Sequence, residues 1–344
     1  MTNIVQYGDI SPAVAAYSVV RMLKRAMPLL QLEKFGQTYP LPTNSTQTAK
    51  FRRYYMTGAT GAAGSGSGAF SIPVATTPLV EGVTPAGSKL SNVDYTVTLA
   101  QYGDFITITD VVMDTHTDPI LQTATDILGE QAALTVETLR FNVLKAGTNV
   151  FYANGSARAD VNTVITLAAQ RQITSALNRQ NAKKITSIVA STPDYNTKSV
   201  EAAYIAVCHP DLDSDIRGMA GFKPVADYGP HTSPMEGEIG SVEQVRYLAS
   251  TVIAPWADGG GAKGSMRSTS GTNADVYPVL YFARDAFGIV PLKGKSSMTP
   301  MVVNPKPAAG DPLGQRGTVG WKLWTATVIL QEAFMARLEC AVTA

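Results

Sequence analysis

Residues 118–147 read DPILQTATDILGEQAALTVETLRFNVLKAG, and the fold turns on how this stretch is read. Asp118 is placed to cap, and Pro119 takes the first helical position, where a missing N–H is harmless; Gly147 ends the run. Ile120, Ala124, Leu128, Ala132, Val136, Leu139 and Val143 recur at steps of four and three, one apolar stripe along a helix. The spacing predicts a helix over Pro119–Ala146, about 42 Å long at 1.5 Å per residue. Mean helices are less than half that length, so this one reads as a spine.

Upstream, Ser11 and Pro12 open a shorter helix whose stripe is Ala16, Val20, Leu23, Met27 and Leu30, with Arg21, Lys24 and Arg25 off the stripe. Pro28 kinks or ends it. This segment reads as an arm that docks on a neighbour. A turn-rich stretch leads to the basic–aromatic burst Phe51-Arg52-Arg53-Tyr54-Tyr55, and Thr57–Gly68 then holds five glycines in twelve residues. Val93, Tyr95, Val97 and Leu99 alternate at period two, followed by Phe105–Thr109. Residues 51–110 are therefore predicted as one long β-excursion with a glycine-rich tip.

Downstream, a helix is predicted over Leu167–Asn181 with Ile173 and Leu177 inward. Strands are predicted at Tyr204–Cys208, Val245–Val252 and Tyr277–Phe282, with a short helix over Asp211–Met219. Val319, Trp321, Leu323 and Thr325 alternate in a closing strand. No internal repeat is present.

The chain has 344 residues, 45% hydrophobic and 16% charged, with 28 basic and 27 acidic side chains. That apolar fraction with near-zero net charge excludes disorder for most of the chain. Two cysteines, Cys208 and Cys340, cannot build a disulfide framework or a four-thiolate zinc site. No apolar run approaches 18 residues, and the first residues, MTNIVQYGD, do not resemble a secretory signal. The expectation is a soluble protein made in a reducing cytoplasm. Charge is blocky: residues 1–56 carry seven Lys/Arg against Asp9 and Glu33, whereas residues 101–150 carry seven acids against Arg140 and Lys145. Copies of such a chain can dock basic on acidic patches without accumulating repulsion.

Catalytic signatures are weak. Gly259-x-Gly261-x-x-Gly264 matches a dinucleotide pattern but has neither a strand before it nor a helix after it, and reads as a loose surface loop. His209, Asp211, Asp213 and Asp215 offer metal-ligand types, but the glycine and distal acid of a calcium loop are missing. The simpler reading is a strand end followed by acids at a helix N-terminus. Cys208 and His209 are strand neighbours pointing to opposite faces, so they make no dyad. His116 and His231 lie in loops. No catalytic, cofactor or metal site is expected. Arg52, Arg53, Tyr54 and Tyr55 combine charge with stacking surface, as in single-strand binders; the alternative is pairing with the acidic spine segment of the same or a neighbouring copy.

In this order, the segments resemble a known family. Leu41-Pro42 through Phe51-Arg52-Arg53-Tyr54 is similar to an arm-to-loop junction, and Tyr102-Gly103 with Ile108-Thr109-Asp110 and Asp118-Pro119 to a spine-helix entry. Cys208-His209-Pro210 with Asp215-Ile216-Arg217, and Gly237-Glu238-Ile239-Gly240 with Val245-Arg246-Tyr247, are similar to an axial domain. Arg284–Gly288, Asp311–Gln315 and Gly320-Trp321-Lys322 are similar to closing segments. The chain resembles the major capsid proteins of tailed bacteriophages with the HK97-like fold, nearest their short-tailed branch.

The resemblance implies an α+β chain with an N-arm (1–50), an extended loop (51–110), a peripheral domain (111–200 and 290–344) and an axial domain (201–289). It implies a virion protein, not an enzyme, that assembles as pentamers and hexamers into an icosahedral head around double-stranded DNA in the host bacterial cytoplasm. It also implies separate scaffold and portal proteins, possible decoration proteins, and no membrane. Relatives with an N-terminal scaffolding segment start further from their arm. Candidate inter-subunit contacts are Arg21, Lys24, Arg25, Arg52, Arg53, Tyr54, Tyr55 and Lys89. The alternatives are an encapsulin-type protein cage with the same fold, or an enzyme with an unrecognised site.

Overall fold

The computed structural model describes residues 30–56, 74–85, 87–111, 120–186, 201–228, 235–292, 299–303, 305, 307 and 311–344. The expected N-terminal helix with Arg21, Lys24 and Arg25, the glycine-rich tip, His116, His231 and the Asp118-Pro119 cap lie outside them.

The elements in chain order are β1 (Gln37–Thr38), β2 (Thr48–Met56), β3 (Leu90–Thr98), β4 (Ala100–Thr109), α1 (Ile120–Leu144), β5 (Val150–Tyr152) and α2 (Leu167–Arg179). Then come β6 (Tyr204–Cys208), α3 (Asp213–Arg217), β7 (Phe222–Pro224), β8 (Glu238–Val242), β9 (Val245–Ala249) and β10 (Tyr277–Phe282). The chain closes with β11 (Phe287–Pro291), β12 (Thr299–Val303), β13 (Arg316–Ile329) and β14 (Met335–Cys340).

The spine is α1, and Ala124, Leu128, Ala132 and Val136 press it onto Ile108, Val319, Trp321 and Leu323. Past Val136 the expected stripe fails: Leu139 and Val143 are half-buried, while Arg140, Phe141 and Leu144 are buried. The reason is a change of partner. The last turns of α1 leave the first sheet and enter a second apolar cluster with Leu32, Phe35, Phe282 and Phe287, so the buried face rotates.

That first sheet is organised by β13. Residues 316–325 pair antiparallel with β4, while 318–322 and 325–329 pair on the opposite edge with β12 and β11; β1 adds in parallel outside β11. Residues 100–109 therefore pair into this sheet, and of the excursion read from the sequence the β2–β3 ladder, 48–56 with 90–98, stands apart from it. Strand alternation had no way to tell the two pairings apart.

A second sheet has seven strands in the order β5-β14-β10-β6-β9-β8-β7. Both its faces are covered, which is why its central strands read as continuous apolar runs. Tyr204, Ala206 and Cys208 with Val279 and Tyr281 join Ile173 and Leu177 of α2; Ile205, Val207, Leu280 and Phe282 face the end of α1. This sheet draws in β5 and β14, from stretches the sequence placed in the peripheral region, whereas β11 leaves for the first sheet. Arg337 and Glu339 make β14 look half-exposed in sequence, yet both are buried. The glycine-rich 259–265 loop is also no loose surface loop. Gly260 N–H donates to Ala274 O and Gly261 N–H to Val161 O, and a Cβ on Gly260 would stand 2.2 Å from Val161 O.

One polar contact fastens the chain's entry to the spine. Glu137, fully buried, accepts the N–H groups of Gln31 and Leu32 at 3.0 and 2.8 Å through one carboxylate oxygen. Burial pushes this carboxyl above the usual range, outweighing the two N–H donors and Arg140, which pull it down. A raised carboxyl stabilises the fold most below the unfolded group's pKa, and that contribution is lost as pH rises through the folded value. Glu137→Gln keeps an acceptor and removes the titration. Urea midpoints measured from acid to neutral pH are expected to fall with pH more steeply in the parent than in the variant; parallel slopes contradict this.

Candidate functional site: the projecting hairpin and an uncovered sheet face

The β2–β3 hairpin is rooted by Ala49 and Leu99, which pack with Leu41 and Val290, and by Phe51 lying over Gly288, where a Cβ would meet the ring at 2.9 Å. Above the root the burial falls away. Arg52 stands opposite Asp94 and binds it bidentately, Nε and Nη2 donating at 2.7 and 2.9 Å. That guanidinium holds the Asp94 carboxyl down to about 2. Arg53 donates to Gln331 Oε1, tying the hairpin to the turn before β14. Tyr54 is 63% exposed and Tyr55 half-buried; Lys89 is exposed one residue before β3. Arg52, Arg53, Tyr54 and Tyr55, the basic–aromatic burst of the sequence, all lie on β2. Within its own chain Arg52 pairs with its cross-strand neighbour Asp94 and not with an acid of the spine.

Beyond the hairpin, residues 74–85 are exposed throughout, including Val74, Leu79, Val80 and Val83. A second apolar surface lies on the face of the first sheet away from α1. Phe105, Gly320 and Met301 stand in one cross-strand row, with Thr318 and Val303 in the next. Phe105, Met301 and Val303 are 65%, 49% and 57% exposed. Sequence reading missed this face, since an exposed and a buried apolar strand residue look alike; the signal available was Gly103 and Gly320, where a Cβ would meet Trp321 O at 2.6 Å and Phe105 Cβ at 2.7 Å.

Of the candidate metal-ligand residues, His209 accepts the Asp211 N–H through Nδ1 at 3.2 Å and lies 3.3 Å from the Asp211 carboxylate, and the three acids each have a further partner. Asp211 accepts from Tyr277 and Arg267 at 2.9 and 2.6 Å, Asp213 pairs with Arg217 at 2.8 Å, and Asp215 accepts the Thr343 hydroxyl at 2.7 Å. Among the described residues no group of three His, Cys, Asp or Glu is placed to hold an ion. Cys208 and Cys340 are buried, and burial drives both thiols far up. No described helix is long and apolar enough to cross a membrane. The surfaces left over are broad, apolar and open, which suits association with other chains.

Comparison with known proteins agrees. Residues 92–338, well over half the chain, match the model of a family described as phage capsid protein. The major capsid protein of Pseudomonas phage KPP21 is 20% identical over 282 residues, covering 75% of this chain and 71% of that one. The capsid of Ralstonia phage GP4 superposes with a TM-score of 0.62 at 13% identity, covering 90% of this chain and 87% of that one. The capsid of cyanophage P-SCSP1u gives 0.56 at 13%, covering 91% and 88%, and that of cyanophage Pam1 0.53 at 15%, covering 89% of each. Spine helix, rooted hairpin, two-sheet α+β architecture and matched sequence thus agree, and the chain belongs to the phage capsid protein family, as a structural major capsid protein with the HK97-like fold.

Proposed function

We propose that copies of this chain form pentamers and hexamers that close into an icosahedral head around double-stranded DNA, in the cytoplasm of a host bacterium. One observation carries this reading: the hairpin and residues 74–85 bury little within their own chain, so a neighbour must cover them. In this arrangement residues 30–50 continue the N-arm, the first sheet and α1 form the peripheral domain, and the seven-stranded sheet with α2 forms the axial domain at capsomer centres. A separate scaffold sets curvature, a portal occupies one vertex, and decoration proteins are optional. Arg21, Lys24, Arg25, Arg52, Arg53, Tyr54, Tyr55 and Lys89 are assigned to contacts between copies, and contact with packaged DNA is through phosphates, independent of sequence. The role is structural, without turnover.

Sedimentation of the chain co-expressed with the scaffold protein of its own phage tests this. Fast-sedimenting particles that protect DNA from nuclease after packaging are expected. Particles filled with enzyme instead of DNA would support the cage alternative.

A further inference from the structure

We infer that residues 31–35, where the N-arm reaches the spine, form a joint that couples the position of the arm to the start of β8 in the seven-stranded sheet. What the coupling serves rests on the shell reading above; the coupling itself belongs to the single subunit. One side of the joint is the spine. Gln31 and Leu32 give their N–H groups to Glu137, and Arg140, one turn on, donates to Glu33 Oε2 at 3.0 Å. The other side is the entry to β8, where three consecutive residues meet the same stretch. Met235 packs against the cluster that holds Leu32 and Phe35, Glu236 stands 3.7 Å from Lys34, and Gly237 lies against the Gln31 side-chain amide. A Cβ on Gly237 would stand 2.3 Å from Gln31 Nε2, and the φ of +78° there is one that side chains resist, so glycine is what admits the contact.

From Gly237 the contact passes into the sheet. Gly237 O accepts the Ala249 N–H of β9 at 2.8 Å. Glu238, its side chain fully buried, accepts the Tyr228 hydroxyl at 2.8 Å through one oxygen and the Met235 N–H at 3.0 Å through the other; Arg246 of β9 lies 3.7 Å away. The β8–β9 register shifts between Glu238 and Gly240, a bulge at which a strand bends. A contiguous path therefore runs from Glu137 through Gln31, Gly237 and Glu238 to Tyr228. Its pairing is incomplete. Gln31 Oε1, Glu137 Oε2, Arg140 Nε and Arg246 Nε are buried and make no hydrogen bond among the described residues. Such atoms are rare in folded chains, and each gains water when the joint opens, so opening costs less than for a fully paired contact of the same size. A neighbour that draws the arm away takes two N–H donors from Glu137 and the amide from Gly237, and β8 loses its support on that side. By linkage the effect is reciprocal: loosening Glu238 loosens the arm by the same factor.

Hydrogen exchange of the purified full-length subunit before assembly, followed by mass spectrometry, tests the coupling from both ends. Tyr228→Phe removes the hydroxyl that Glu238 accepts and keeps the ring. It is expected to speed exchange in the peptide covering residues 30–35 about tenfold, with the peptide of α2 unchanged. Gln31→Ala keeps its own backbone N–H and removes the amide on Gly237. It is expected to speed the Met235 and Ala249 amides by a similar factor, again without change in α2. Parental rates at the far end in either variant overturn the coupling. A uniform rise that includes α2 overturns it too, since that is a loss of global stability and not a path between two places. Neither readout needs particles, so the shell reading stands or falls separately by sedimentation.

Discussion

Replacing Glu339 with Gln is expected to destabilise the unassembled subunit by about 3 kcal/mol, read as a drop in urea midpoint with unchanged slope. Glu339 is fully buried on β14 and receives Arg158 Nε and Nη2 at 2.7 and 2.8 Å and Arg337 Nε at 2.9 Å. Arg158 also stacks on Trp256, 3.6 Å from the ring centroid. The triad joins the turn after β5 to β14 and to the Trp256 loop, so it locks one edge of the seven-stranded sheet. Removing the carboxylate leaves two guanidiniums facing each other without a counter-charge. Breaking a buried pair costs about 3–5 kcal/mol, and the low end applies because the Arg158 side chain is 35% exposed. The exposed Arg171–Glu243 pair, at 61% and 37% exposure, is the control: Glu243→Gln should leave the midpoint unmoved. Equal effects from the two substitutions would mean that the buried triad does not stabilise the fold as argued.

Deleting residues 1–29 is expected to abolish shell closure while leaving a folded subunit, with far-UV circular dichroism and the urea midpoint retained and sedimenting particles lost. The cut must fall there. Leu32 is 1% exposed, and its N–H, with that of Gln31, donates to Glu137 Oε1. Removing residues 30–34 as well empties the Leu32 site, for which a Leu→Ala change alone costs about 2–5 kcal/mol. It also strands a buried carboxylate. The shorter deletion therefore tests the arm, and the longer one tests the anchor. Normal particles from the chain lacking 1–29 would contradict the docking role of the arm.

Much of the architecture could be read from periodicity, because most elements bury one stripe or both faces. Ala124, Leu128, Ala132 and Val136 marked the spine, Ile173 and Leu177 marked α2, and the all-apolar runs of β6 and β10 marked the sheet centre. What hydropathy hides is polarity inside. Glu137, Arg140, Arg337 and Glu339 are buried, and their charges disguised the turn of the spine onto its second partner and the whole of β14. Short strands carrying Gly or Pro, such as Phe287–Pro291, fell below any pattern threshold. The basic–aromatic burst was legible as a unit, but its role was not, since Asp94 lies 42 residues from Arg52 and meets it only through the hairpin register. The uncovered Phe105–Met301 face was least legible, because outward apolar residues look the same in sequence as inward ones.

The measurement that bears most directly on the central claim is electron microscopy, with light scattering, of the purified chain co-expressed with its scaffold. Closed shells of uniform diameter are expected, with capsomer rings among incomplete ones. A monodisperse monomer or small oligomer that persists with scaffold and crowding agents present would contradict it.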